Sequence, residues 1–184
     1  MSHRRIGLLR AVNVGGRNMV KMADLRAFLA DLGLGDPQTL LQSGNIVFDS
    51  GRAPADLEPW LEAEARTRLG LDTTFYVRTD REWRDAVSRN PFPEEAESDP
   101  GHLVVYALKH KVGVVEGRKL AQEIDRLKGP ERCQVAGQHL YLVYPAGIGT
   151  SKVTPVVIER ALGTAGTGRN WNTVRKLLAL SQAG

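Results

Sequence analysis

Along the first 79 residues, short apolar runs alternate with stretches of helical period in the order strand, helix, strand, strand, helix, strand. This order constrains the fold more than any composition figure does. Residues 5–12 form an apolar run, and apolar side chains then recur at 22, 25, 28, 29 and 32, the spacing of one helix face. Gly33 and Gly35 close that helix, and residues 38–42 and 45–49 flank Ser43-Gly44, a spacing that predicts a tight hairpin. A second helix is predicted over 55–69, with Leu57, Trp60, Leu61, Ala65 and Leu69 on one side. A strand rich in β-branched and aromatic residues follows over 73–77. The order βαββαβ is that of the ferredoxin-like split unit.

The chain then starts the pattern again. A connecting helix is predicted over 81–87, and residues 90–101, with Pro91, Pro93, Pro100 and several acids, read as a linker. Beyond it come a strand over 102–109, a helix over 115–127 closed by Gly129-Pro130, and a second hairpin in which 133–136 pairs with 139–144 through Gly137-Gln138. Thr154-Pro155 sets a capping hydroxyl ahead of a proline suited to the first helical turn, and Gly163 ends that helix. The last element, 171–180, reads as helix where a fourth strand is expected. The expectation is an α+β fold of two ferredoxin-like units: 1–79 the first, 80–101 a connecting helix and acidic linker, and 102–184 the second, incomplete and ending in helix.

A 42% hydrophobic content over 184 residues is enough for one ordinary domain or two small ones. No apolar run approaches the roughly 18 residues that a membrane span needs, and the apolar stretch after Arg4 and Arg5 reads as a strand, so neither export nor membrane insertion is expected. The single Cys133 cannot form an internal disulfide. His3, His102, His110 and His139 share no metal-ligand spacing. These features predict a cytoplasmic protein with no structural zinc and no resident cofactor. Charge is unevenly spread: residues 1–26 hold six Lys/Arg against one acid, 151–184 hold five against one, and 49–99 hold seven against thirteen acids. If the two ends meet, they form a basic pole that attracts phosphates or carboxylates.

Two segments concentrate glycines, amides and cations at predicted element ends. In the first, Asn13, Gly15, Gly16 and Arg17 lie between strand and helix, with Arg10 and Lys21 beside them, where backbone N–H groups can meet an anion. Steric need alone also explains a Gly-Gly turn. The hairpin tip Gln42, Ser43 and Asn45 either turns the chain or presents polar side chains to a ligand. In the second segment, Ser151 and Lys152 follow a glycine loop that lacks the Gly-Lys-Ser/Thr order of a phosphate loop. Ser151 is a nucleophile only if an amine of lowered pKa reaches it; otherwise it is a cap. Arg169, Asn170, Trp171 and Asn172 pack an indole between amides beside a guanidinium. Trp171 either stacks on a base or sugar or fills the core, with Asn170 or Asn172 capping the last helix. No general base and no Ser-His-Asp set stands out, so the sequence does not establish an enzyme.

The stretches LLRAVNVGGRNMVKMADLRAFLADLG, LQSGNIVF, SKVTPVVIERALG and TGRNWNTVRKLLAL resemble the bacterial family of domain of unknown function 1697. Ala11 stands where that family typically has glycine, and Gly168 near where it has threonine. The resemblance implies an α+β protein of two ferredoxin-like units and implies no activity.

The sequence therefore predicts a protein that binds an anionic small molecule or nucleotide where the first Gly-Gly loop and the Arg169–Asn172 segment converge. An RNA- or DNA-binding module and an oligomerising protein without a ligand are the alternatives. The basic termini favour the former, and the missing RNP aromatics count against it.

Overall fold

The computed structural model describes residues 3–16 and 18–183. Among them are two antiparallel sheets and seven helices, a mixed α+β architecture. The chain divides into two compact units, one of Met1–Asp85 with Lys176–Gly184 and one of Ala86–Arg175.

The first unit begins with β1 (His3–Leu9), α1 (Met22–Asp31), β2 (Gly35–Leu40), β3 (Asn45–Ser50), α2 (Pro54–Leu69) and β4 (Phe75–Thr79). Its sheet runs β2-β3-β1-β4, with every neighbouring pair antiparallel. One face carries Leu9, Ile46, Phe48, Phe75 and Val77, which pack with Leu25, Phe28 and Leu29 of α1 and Leu57, Leu61 and Ala65 of α2. Each of the larger side chains among them, fully buried, contributes about 1.5–3 kcal/mol. On the opposite face Ile6, Leu8, Val47 and Tyr76 are also buried. Burial on both faces explains why β1 reads as a continuous apolar run and not as an alternation.

The ends of the helices follow from local chemistry. Gly33 ends α1, and Gly70, in the left-handed region, ends α2. Pro54 occupies the first turn of α2, where its missing N–H costs nothing. The first hairpin forms, but its loop is the four residues 41–44, with Leu40 opposite Asn45, and not a two-residue Ser43-Gly44 turn.

After α3 (Asp80–Ser88), the stretch expected to be a linker carries a short helix, α4 (Pro93–Ser98), with Pro93 in its first turn. The second unit continues with β5 (Leu103–Val112), α5 (Val114–Leu127), β6 (Arg132–Val143), α6 (Pro155–Leu162), β7 (Gly166–Asn170) and the start of α7 (Trp171–Gln182). Its sheet runs β6-β5-β7, again antiparallel. Val104, Tyr106, Leu108, Leu140 and Leu142 of the sheet pack with Leu120 and Ile124 of α5 and Ile158 and Leu162 of α6.

Two expectations fail here. Residues 133–136 and 139–144 do not form a hairpin: residues 132–143 are one strand, β6, whose register against β5 shifts between the Ala107/His139 and Val112/Gly137 pairs. Only Gly137 there has positive φ, the chain is not reversed, and the extra residues of the irregularity, 108–111, lie on β5. The final strand expected to be missing is present as β7, ahead of the helix expected over 171–180, so Arg169 and Asn170 belong to a strand that leads directly into α7.

Candidate functional site

In the first unit the predicted residues hold two loops together. The side chain of Asn13 donates to the Val20 carbonyl (3.0 Å) and the Gln42 carbonyl (2.8 Å), and its Oδ1 accepts the Val20 N–H (2.8 Å). The Asn13 N–H donates to the Asn18 carbonyl (3.1 Å), and Gly15 and Gly16 both lie at positive φ, a region glycine enters without steric cost. A backbone bond from the Arg10 N–H to the Thr74 carbonyl and a hydroxyl bond from Thr73 to the Arg10 carbonyl fasten the base of the 13–18 loop. The loop therefore protrudes ahead of α1, which starts only at Met22 behind Lys21. Its exposed flanking side chains Val14 and Met19 are apolar. Arg17 lies outside the described residues.

Asn45, fully buried, donates to the Leu40 carbonyl and to the Ser43 hydroxyl (both 2.9 Å), which closes the 41–44 turn from inside. These internal bonds account for the amides at Asn13 and Asn45. They are what a loop of left-handed residues needs to hold its shape.

A second feature of this unit escapes sequence reasoning. The β1–β4 register sets Arg5 opposite Thr79, and Thr79 leads straight into α3. A depression of ≈ 360 Å³ results, lined by His3, Arg4, Arg5, Asp80, Arg81 and Arg84. Its walls are fixed. Thr79 and Glu82 form a reciprocal capping box, with the Glu82 N–H on the Thr79 hydroxyl (3.1 Å) and the Thr79 N–H on the Glu82 carboxylate (2.8 Å). Arg5 donates twice to the Arg52 carbonyl, and burial lowers its pKa against the opposing pull of Glu82. Arg4, nine-tenths buried, pairs with Asp36 (3.0 Å) and Asp49 (3.4 Å), and its Nε is buried without a hydrogen-bond partner. Arg84 pairs with Asp80 at 2.6 Å. Arg81 is exposed and takes part in no ion pair among the described residues.

In the second unit Ser151 donates its hydroxyl to Glu131 and accepts the Val153 N–H (3.0 Å). Glu131 is buried, and its second oxygen has no hydrogen-bond partner among the described residues. Nearby, the Tyr106 and Tyr144 hydroxyls share a hydrogen bond of 2.8 Å, and burial raises both phenol pKa values. The α6 cap is Thr154, which accepts from Val157, and not Ser151. Lys152 is exposed. Partial burial pushes the Cys133 thiol up to about 11, which makes it a poor nucleophile.

Arg169 donates to the Thr167 hydroxyl (3.0 Å) and the Gly168 carbonyl (2.9 Å), and burial pushes its guanidinium down to about 10. Asn170 caps α7 by accepting the Thr173 N–H (3.0 Å). Trp171 is buried, and Asn172 is exposed. Trp171 also lines a cavity of ≈ 310 Å³, together with Val87, Asn90, Ala96, Glu97 and Arg175. No group of three or more His, Cys, Asp or Glu able to hold a metal ion occurs among the described residues. No helix among them is long and apolar enough to cross a membrane.

These features define an α+β protein whose polar depressions sit at the ends of its elements. The chain belongs to the family described as Protein of unknown function (DUF1697), whose model matches residues 2–141. That range includes the Asn13 loop and the 41–44 turn and stops short of Ser151 and Arg169. Among solved structures the chain is similar to the conserved bacterial protein SP0830 from Streptococcus pneumoniae, at 21% identity over 98% of this chain and 99% of that one, with a TM-score of 0.70. At that identity the likeness is one of fold. No curated protein matches the sequence.

Proposed function

We propose that the protein binds an anionic small molecule, a phosphorylated metabolite or nucleotide, in the arginine depression of the first unit. The observation that carries this reading is the Arg5–Thr79 pairing, which gathers Arg4, Arg5, Arg81 and Arg84, with Asp80, around one concavity at the start of α3, where Arg81 takes part in no ion pair among the described residues. Guanidinium groups suit phosphate because their planar forks donate in pairs. The α3 N-terminus adds a favourable dipole. The 13–18 loop offers less, since its amides are engaged internally and its exposed flanks are apolar.

The βαββαβ order and the β2-β3-β1-β4 sheet support a ferredoxin-like plan for the first unit, and the β6-β5-β7 sheet supports the same plan less one edge strand for the second. The half-buried free thiol of Cys133 accords with a cytoplasmic location. Reading of RNA on the first sheet is disfavoured, because Ile6, Leu8, Val47 and Tyr76 leave no exposed aromatic platform on that face.

Thermal-shift and calorimetric titration with inorganic phosphate and pyrophosphate tests the proposal. Pyrophosphate should bind more tightly than phosphate and more weakly as salt rises. Arg81→Glu should weaken binding by about tenfold or more, the scale of one charge-assisted contact. Arg118→Glu makes the same change of net charge on α5 in the second unit and should leave binding within about twofold. Equal losses in the two variants, or no binding to the parent chain, would refute the site.

A further inference from the structure

The ≈ 310 Å³ cavity of the second unit differs in charge from the arginine depression. Arg175 follows Trp171 by four residues on α7, so the two side chains share one helix face. Glu97 of α4 lines the same cavity. Neither Arg175 nor Glu97 takes part in an ion pair or hydrogen bond among the described residues, although each carries the charge the other lacks. The cavity is also lined by the apolar residues Val87, Ala96 and Trp171, and the Asn90 amide is engaged with Phe92.

A cavity with one cation, one anion and an apolar wall selects by charge pattern. A simple anion meets Glu97, and a simple cation meets Arg175. A neutral zwitterion satisfies both. We infer that this cavity takes a small apolar α-amino acid, its carboxylate on Arg175, its ammonium on Glu97 and its side chain against Val87, Ala96 and Trp171. The carboxylate can take two parallel guanidinium bonds, which fixes its plane. The aromatic and aliphatic wall supplies non-directional burial. The volume lies at the lower end of ligand cavities, about 300–1,000 Å³, as a molecule of this size needs. The inference is independent of the phosphate reading, since it uses different residues and the opposite charge logic.

Calorimetry on the full chain with L-leucine and L-phenylalanine tests it, alongside 4-methylpentanoate and isoamylamine, which keep the leucine side chain and lack the ammonium or the carboxylate. Either amino acid should bind, and each analogue should bind about tenfold more weakly or worse, as the loss of one charged contact requires. Arg175→Ala and Glu97→Ala, both at exposed positions, should each cost about the same factor while the far-ultraviolet spectrum stays unchanged. Pyrophosphate should not compete. The inference is overturned if neither amino acid binds at up to about 10 mM, tenfold above a millimolar dissociation constant. Analogues that bind as well as leucine would overturn it too, because the two charges would then be bystanders.

Discussion

Between α1 and α2 the first unit builds two strands, β2 and β3, whereas between α5 and α6 the second unit builds one, β6. In both, a central strand carries an antiparallel neighbour on each side: β3 and β4 flank β1, and β6 and β7 flank β5. What the second unit lacks is the outer hairpin strand. The cause lies in turn chemistry. Residues 41–44 reverse the chain with Leu41 and Gly44 both at positive φ, and Asn45 ties the turn to Leu40 and Ser43. At 137–138 only Gly137 has positive φ, and the chain runs on as β6, with β5 residues 108–111 forming the irregularity opposite Gln138. A glycine between two apolar stretches is therefore not a hairpin signal until a second residue shares the reversal.

The sharpest way to break this comparison is Gly44→Ala. At Gly44 φ is 70°, and an added Cβ would lie 2.5 Å from Val12 and 2.7 Å from Leu9, both buried. Left-handed strain and overpacking together should cost about 2–4 kcal/mol in chemical denaturation. The second unit should respond next most strongly at Ser151. Ser151→Ala removes the hydroxyl that serves Glu131, whose other oxygen already lacks a partner, and should cost about 1–3 kcal/mol. Gly137→Ala should cost least, about 1 kcal/mol, because its φ of 61° is strained for alanine but nothing lies within 4 Å of an added Cβ. Equal losses at Gly44 and Gly137 would mean that the irregularity is as demanding as the turn.

Much of the fold is legible in the sequence, because periodicity and end signals agree. The 3.6-residue spacing in α1 and α2, the glycines that end them and the Thr154-Pro155 start of α6 all mark real elements. The strand β7 is not legible, for a physical reason. Its Gly-Thr-Gly-Arg-Asn sequence has little strand character, yet a Cβ on Gly168 would lie 3.0 Å from the Tyr106 ring, and one on Gly166 would lie 2.9 Å from Leu108. These glycines admit the large side chains of β5, and in sequence they look like a loop.

The same limit hides the arginine depression. Arg4 and Arg5 belong to a basic stretch, whereas Arg81 and Arg84 sit in one dominated by acids, so charge counted along the chain separates groups that the β1–β4 register joins. The conspicuous amides, by contrast, are legible as residues but not as roles. Asn13, Asn45 and Asn170 each complete a local hydrogen-bond pattern of a loop, a turn or a cap.

The most direct test of where an anion binds is an amide NMR titration of the full chain with pyrophosphate. The largest shift changes should fall on residues 3–5 and 79–84, around the Arg5–Thr79 pairing. Changes confined to 13–18 and 41–45, or no saturable change at all, would contradict the account.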